Sequence, residues 1–199
     1  MTETIILASG SEIRSALLRN AGVDFTVIVP RLDEEMIRDA MLAEGATPRE
    51  IADALAENKA RKVSAKAPHS LVIGCDQVLE FEGKSLSKPA SPEEARAQLC
   101  ALSGKRHSLL SAVVICQDGR PIWRHVGQVR LQMREISESY IDDYLMRNWE
   151  SIRHAVGCYK LEEEGVRLIS RIDGDYFTVL GLPMIELLGY LMVRGVLKV

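Results

Sequence analysis

The chain has 199 residues, of which 47% are hydrophobic and 27% charged, and its formal net charge is −3. This length suits one globular domain with a buried core, and we expect residues 1–199 to form a single domain. The acidic balance argues against general nucleic-acid binding, which usually needs a basic surplus. Because no apolar stretch reaches the roughly 18 residues of a membrane helix and no basic leader opens the chain, the sequence predicts a cytoplasmic protein.

Four cysteines are scattered along the chain, at positions 75, 100, 116 and 158. They form no CxxC pair, and three of them occupy apolar segments. We therefore expect buried free thiols rather than disulfides or zinc ligands.

The N-terminal half predicts strands that alternate with helices, because apolar runs of strand length alternate with segments of helical apolar spacing. The predicted strands are residues 4–7, 25–29 and 72–77. The predicted helices are residues 12–21, closed by Gly22, a polar stretch from 34 to Gly45, and 48–65. Thr47 and Glu50 have the spacing of a capping box at the start of the last helix.

The C-terminal half shifts towards hairpins. A turn is predicted at residues 81–84, and long strands are predicted at 107–116 and 121–134, with strand signals at 166–172 and 177–179. Helices are predicted from Ser91 to about Gly104, over 137–146, and from Pro183 onwards. This order favours an α/β protein with a mixed sheet over a purely parallel one.

The most informative segment is the predicted strand that leads into Gly74-Cys75-Asp76. In α/β sheets the carboxyl ends of strands are where ligands bind, so Asp76 is a candidate for chemistry. Lys88 follows the hairpin-like turn and would return a positive charge to the same cleft. A carboxylate with a lysine suits phosphate chemistry with a metal ion. The alternative is a strand that happens to end in aspartate.

A second candidate is the turn Ser9-Gly10-Ser11, which lies between the first strand and the first helix, with Arg14 one turn further on. Backbone N–H groups, hydroxyls, the helix dipole and a guanidinium together can hold a phosphate. From the residues alone, helix capping by Ser9 or Ser11 is the favoured interpretation.

Basic residues elsewhere also have ordinary explanations. Lys59 shares its predicted helix with Lys62 and Lys66, and such lysines are typical of a solvated face. The basic residues before His107 complement a helix C-terminus.

The order of these segments resembles the Maf family of nucleotide pyrophosphatases, a family first named for an association with septum formation. The resemblance extends over about residues 5–190. It is carried by Leu7-Ala8-Ser9-x-Ser11-x-x-Arg14, Asp33-Glu34, Leu55-Ala56-x-x-Lys59-Ala60, Ile73-Gly74-x-Asp76, Lys88-Pro89, Leu102-Ser103-Gly104-x-x-His107, Gly157-x-Tyr159 and Gly174-Asp175…Gly181-Leu182-Pro183.

The resemblance implies an inosine-triphosphatase-type α/β fold, elongated, with a mixed central sheet and two lobes around a cleft. It implies hydrolysis of a nucleoside triphosphate to the monophosphate and pyrophosphate. The implied cofactor is a divalent metal cation, Mg²⁺, Mn²⁺ or Co²⁺. The implied partners are the nucleotide substrate and a second copy of the chain in a homodimer, with no nucleic acid and no membrane.

Carried over residue by residue, the resemblance assigns Asp76 as the general base. It assigns Glu34 and Asp76 as the metal ligands. The implied substrate-binding residues are Ser9, Ser11, Arg14, Lys59, Lys88 and His107.

Departures from the family pattern bear on which base is recognised. Glu12-Ile13 replaces a Pro-Arg pair, and Ile13 stands where an aromatic residue would be expected to stack on the base. Gln77 and Glu162 stand where the thymidine/uridine branch usually has threonine and glutamine, and this is similar to the branch that prefers 7-methyl-GTP. A carboxylate at Glu162 can accept from both donors of the cationic methylated guanine.

The sequence therefore predicts a pyrophosphatase that removes 7-methyl-GTP from the nucleotide pool. One alternative is a pyrophosphatase for dTTP, UTP or a modified pyrimidine nucleotide. The other is a nucleotide-binding regulator of septum formation without activity, although such a binder has no need of a general base at Asp76.

Overall fold

The computed structural model of the chain describes residues 3–198. Its strands are β1 (Ile5–Ala8), β2 (Thr26–Val27), β3 (Leu71–Phe81), β4 (Lys84–Leu86), β5 (Arg106–Gln117), β6 (Arg120–Met133) and β7 (Ile169–Asp173). Its α-helices are α1 (Glu12–Asn20), α2 (Glu34–Ala43), α3 (Pro48–Ser64), α4 (Pro92–Leu102), α5 (Glu138–Ile152), α6 (Tyr176–Val179) and α7 (Met184–Val193). Short 3-10 segments cover Val156–Cys158 and Glu164–Leu168. Within this range, no helix is long and apolar enough to cross a membrane.

The strands form one mixed sheet in the order β2-β1-β3-β5-β6-β7, with β4 attached to β3. Strand β1 pairs in parallel with β2 and β3. The other pairings are antiparallel, as expected for strands joined by hairpins. The predicted α/β class with a mixed sheet is confirmed.

Helix α3 lies against β3 at a separation that only glycine at position 74 permits. The predicted capping box opens the helix, because Thr47 and Glu50 each accept a hydrogen bond from the other's backbone N–H. A Cβ atom on Gly74 would lie 2.2 Å from the carbonyl oxygen of Ala56 and 2.7 Å from the nitrogen of Ala60. The backbones of helix and strand are therefore in direct contact here.

The second predicted strand, residues 25–29, is shorter than expected. Strand β2 covers only Thr26–Val27, and both residues are exposed. It lies at the edge of the sheet with β1 as its single neighbour, and its pairing stops before Pro30, which has no N–H to donate.

Two other predictions differ from the structure. The strand expected from residue 166 begins only at Ile169, because Glu164–Leu168 forms a 3-10 turn. Residues 177–179 belong to helix α6 rather than to a strand. Asp175 accepts a hydrogen bond from the N–H of Thr178 at 2.8 Å, and this N-cap outweighs the β-branched side chains. Helix α5 also runs further than predicted, to Ile152.

The first residues of β5 and the last residues of β6 pack with α4 and α5 in a separate hydrophobic cluster, called here the α4/α5 cluster. Its buried members include Leu79, Leu99, Leu109, Val129, Leu131, Ile141 and Tyr159. His107 lies beside it, 4% exposed, with its Nε2 2.7 Å from the hydroxyl oxygen of Tyr159. Its Nδ1 is buried without a hydrogen-bond partner in the described range. Burial lowers the pKa of this imidazole to about 4.

The cysteines are all free thiols, as predicted. Cys75, Cys116 and Cys158 are buried, and Cys100 is half-buried. Burial raises the pKa of Cys75 and Cys116 to about 11 and that of Cys158 to about 12, so these thiols are protonated at neutral pH.

We predict that Gly74→Ala lowers the free energy of unfolding by about 3 kcal/mol, because the new methyl group must push α3 away from β3. Urea unfolding followed by circular dichroism measures the change. Gly189→Ala is the matched control, since Gly189 lies inside α7 and, apart from its own helix backbone and chain neighbours, no atom of the described residues lies within 4 Å of the added Cβ. That variant should be as stable as the parent or slightly more stable. A Gly74→Ala variant of unchanged stability would contradict the close contact.

The buried imidazole of His107 should make the protein less stable in mild acid. Its folded pKa of about 4 lies below the roughly 6.5 of an unfolded histidine, so the unfolded state binds the proton first as the pH falls. Between pH 7 and pH 5 the free energy of unfolding should fall by about 2 kcal/mol from this group. His107→Gln should remove that difference, whereas His154→Gln, at an exposed position, should not. An unchanged pH dependence in His107→Gln would show that the imidazole is not its source.

Candidate functional site

Asp76 lies in the middle of β3 rather than at the carboxyl end of a strand as predicted, because β3 continues through its hairpin pairing to Phe81. Its side chain is on the face covered by α3. Its Oδ1 accepts a hydrogen bond from Nζ of Lys59 at 2.8 Å, and the same Nζ lies 2.9 Å from Oε2 of Glu34. The other oxygen of Asp76, Oδ2, is buried and has no hydrogen-bond partner among residues 3–198. The three side chains form a continuous chain of charges, called here the Glu34–Lys59–Asp76 chain.

The prediction from local pattern that Lys59 lies on a solvated face of its helix is wrong. Lys62 on α3 and Lys66 just beyond its end are exposed as predicted, but Lys59 is 7% exposed and faces the sheet. Its position on the apolar face between Ala56 and Ala60 leaves room for the long side chain to reach Asp76. The spacing of apolar residues on α3 is the sequence signal that marks position 59 as inward-facing.

Lys88 faces the same group of charges. The carboxylates of Glu34 and Asp76 and the cations of Lys59 and Arg14 all influence its ammonium group. Partial burial is the largest influence and lowers the pKa of Lys88, against the opposing effect of the two carboxylates. Much of the residue nevertheless remains accessible to solvent, which places it at the mouth of the site.

The serines of the β1–α1 turn have separate roles. Ser11 is the N-cap of α1 and accepts from the N–H of Arg14, so the capping interpretation holds for this serine. Ser9 is 6% exposed, and its Oγ accepts from the N–H of Ser11 at 3.2 Å and from Nη1 of Arg14 at 3.4 Å. The hydroxyl hydrogen of Ser9 remains available to a ligand.

Arg14 is held by backbone carbonyl groups rather than by carboxylates. Its Nε donates to the carbonyl of Gly181 at 2.9 Å, and its Nη1 donates to that of Cys75 at 3.1 Å. The Nη2 group makes no hydrogen bond within the described part of the chain. Arg14 thus joins the strand that carries Asp76 to the turn after α6. The local pattern predicts a turn at Gly181 but not this contact, which joins residues 167 positions apart.

Gln77 faces the side of the sheet opposite to Asp76, because neighbouring strand residues alternate. Its Nε2 lies within hydrogen-bond distance of Ser111 Oγ and of the carbonyl oxygens of Thr178 and Val179. The amide donors predicted to select a base are therefore occupied by α6. Sequence reasoning did not identify Ser111, which also donates to the Thr178 carbonyl, at 2.7 Å.

The remaining predicted residues make no hydrogen bond or ion pair with the Glu34–Lys59–Asp76 chain in the described part of the structure. Ile13 is half-buried and packs against the hydrophobic cluster around β1 and α7. Glu162 is exposed and makes no hydrogen bond or ion pair within residues 3–198. His107 lies five positions along β5 from Ala112, the residue paired with Asp76, which corresponds to about 17 Å. The structure does not bring His107 to the Glu34–Lys59–Asp76 chain.

Metal binding would rest on two carboxylates. No group of three or more histidine, cysteine, aspartate or glutamate side chains is arranged around a common point in the range that the structure covers. Asp76 Oδ2 is nevertheless a buried oxygen without a partner in the described residues, and the Glu34 side chain, on the other side of Lys59, is 38% exposed. Oxygen ligands of this kind fit a hard divalent cation that takes its other ligands from phosphates and water.

Comparison with known proteins gives a consistent result. A family model described as Maf-like protein matches residues 4–193. A protein of Ruegeria pomeroyi named nucleoside triphosphate pyrophosphatase is 64% identical over 197 residues, which cover 99% of each chain. Proteins of the same name from Roseobacter denitrificans and Caulobacter vibrioides are 63% and 50% identical over 195 residues, 98% of each chain. With matches of this identity over nearly its whole length, the chain belongs to the Maf-like protein family.

Proposed function

We propose that this chain is a nucleoside triphosphate pyrophosphatase that releases the monophosphate and pyrophosphate, and that 7-methyl-GTP is its preferred substrate. Relatives up to 64% identical carry the general activity in their names. The observation that carries the proposal is the Glu34–Lys59–Asp76 chain, in which Lys59 and Asp76 are buried and Asp76 keeps one carboxylate oxygen without a partner in the described residues.

Asp76 is the proposed general base. Lys59 binds its Oδ1 and thereby fixes the plane of the carboxylate, so that Oδ2 can take a proton from the attacking water. Attack at the α-phosphorus breaks its bond to the bridging oxygen, and the pair of electrons leaves with pyrophosphate. Because Glu34 binds Lys59 from the other side, the ammonium group is held in place before substrate arrives.

The triphosphate would be bound by groups around the mouth of the site. The Ser9 hydroxyl and the Nη2 of Arg14 are available at the β1–α1 turn. Lys59 and Lys88 provide two positive charges near Asp76. Cations positioned where negative charge develops stabilise a leaving pyrophosphate more than they stabilise the intact substrate.

The reaction proposed here depends on a divalent metal ion, since two carboxylates, Glu34 and Asp76, flank Lys59 at the site. Glu34 and Asp76 would hold Mg²⁺, Mn²⁺ or Co²⁺ together with phosphate oxygens and water. Bound there, such an ion supplies a more acidic water and neutralises phosphate charge.

Preference for 7-methyl-GTP rests on the charge of the base. Methylated guanine is cationic for much of the time at neutral pH, whereas the bases of GTP and UTP are neutral. Glu162 is an exposed carboxylate without an ion pair in the described residues, so its charge is available to such a base. The amide hydrogens of Gln77 are engaged by α6, and we therefore assign Gln77 a smaller part in selection.

The activity test compares the parent protein with Asp76→Asn. The parent should release a monophosphate and pyrophosphate from 7-methyl-GTP, and EDTA should abolish the reaction. Asp76→Asn keeps the shape of the side chain but loses the base, so turnover should fall at least about 100-fold while nucleotide binding remains. Chromatography of the products and calorimetric titration of the nucleotide measure the two effects.

A diphosphate product, or full activity in EDTA, would contradict this mechanism. An Asp76→Asn variant with half the parent rate would remove Asp76 as the base. A parent that binds nucleotides and hydrolyses none would instead support the non-catalytic regulator.

The selectivity test uses Glu162→Gln, which keeps size and removes charge. A charge-assisted hydrogen bond contributes about 1.5–3 kcal/mol, so the ratio of kcat/KM for 7-methyl-GTP over UTP should fall about ten- to a hundredfold. Glu163→Gln is the matched control, because Glu163 already binds Ser151 and Lys160. Equal losses on both nucleotides would show that Glu162 does not select the base and would favour the dTTP/UTP alternative.

A further inference from the structure

Gln98, on helix α4, is a buried glutamine whose amide is fully engaged. It is 9% exposed, and its Nε2 donates to the backbone carbonyl of Ser87 at 3.0 Å. The same Nε2 lies 3.4 Å from Oε1 of Glu94, one turn earlier on α4. Its Oε1 accepts from the thiol of Cys158 at 3.4 Å. The proposed reaction does not involve Gln98 directly.

The backbone bound by Gln98 is the segment that carries Lys88. Residues 87–90 follow β4 and have no regular secondary structure. Gln98 binds this segment at Ser87, immediately before Lys88, and Glu94 binds it at the N–H of Ala90 at 2.8 Å. Helix α4 therefore holds the irregular segment on both sides of Lys88.

The far side of Gln98 is anchored in the α4/α5 cluster. Cys158 is fully buried and has φ of 61°, in the left-handed region that a residue other than glycine adopts at a cost. Its carbonyl accepts from the hydroxyl of Tyr144 at 3.2 Å. Because the thiol that Gln98 accepts from is fully buried, the position of the amide is set by the packed core rather than by solvent.

We propose that Gln98 is a positioning residue, which sets the place of Lys88 by binding the carbonyl of Ser87. This inference rests on the proposed function, in which Lys88 binds the triphosphate. A lysine on an irregular segment would otherwise sample many positions, and each would lower the fraction of protein ready to bind. Gln98 acts through Lys88 and makes no contact with the nucleotide itself.

The test combines Gln98→Met, which keeps the volume and removes the amide, with Lys88→Met in a double-mutant cycle. Gln98→Met should lower kcat/KM for the nucleotide about fivefold, mainly through KM, since Lys88 binds both substrate and transition state. In the Lys88→Met background the same change should alter kcat/KM less than twofold. Gln132→Met is the matched control. Gln132 lies on β6, and its amide also binds backbone carbonyl groups, those of Gly104 and Met133. It should leave KM unchanged.

Glu94→Ala provides a second variant on the exposed side of α4, in case Gln98→Met fails to fold. It frees the N–H of Ala90 and should also raise KM only when Lys88 is present. Glu93→Ala is its control, since Glu93 makes no hydrogen bond to segment 87–90 in the part of the chain described.

Equal factors in the two backgrounds, or no change in KM for either variant, would overturn the inference. An inert Lys88→Met would overturn it as well, and would identify the failure as that of the proposed triphosphate grip.

Discussion

The buried ion pair between Lys59 and Asp76 is the interaction on which the rest of the site depends. Two charges removed from water lose several kcal/mol of solvation each, and their attraction offsets this only with close geometry and further partners. Lys59 meets that requirement by binding both Asp76, at 2.8 Å, and Glu34, at 2.9 Å. Removal of either carboxylate would leave an under-compensated charge at a nearly buried position. The proposed catalytic carboxylate and the packing of α2 and α3 are therefore energetically linked.

Backbone contact between α3 and β3 makes this pair possible. Gly74 and Asp76 lie on the same face of β3, two residues apart. Lys59 adjoins Ala60 on α3, and the nitrogen and Cβ of Ala60 are among the atoms that a Cβ on Gly74 would meet. A larger residue at 74 would move the helix outward and lengthen the path from Lys59 to Asp76. The small residues at this crossing, which contribute little hydrophobic area, thus determine the geometry of the charged group.

Around this centre the irregular segments are fixed by hydrogen bonds from regular elements. Arg14 and Gln77 bind the backbone on either side of the turn after α6, at Gly181 and at Thr178 and Val179. Gln98 does the same for the segment before Lys88. Each of these side chains adds a hydrogen bond to backbone carbonyl groups at or beside the loops. Rigid helices and strands thereby orient loops that carry binding groups, which is the arrangement a preorganised site needs.

The sequence by itself determined the α/β class, the mixed sheet and most element positions, because apolar periodicity and helix caps act between near neighbours in the chain. It misjudged residues 25–29 and 177–179, where a sheet edge and the Asp175 cap outweigh β-propensity. Only the tertiary structure decided that Lys59 is buried while Lys62 is not, that Arg14 binds Gly181, and that His107 lies in the core. Those contacts join residues 17 to 167 positions apart, and side-chain geometry over such separations is fixed by packing rather than by local pattern.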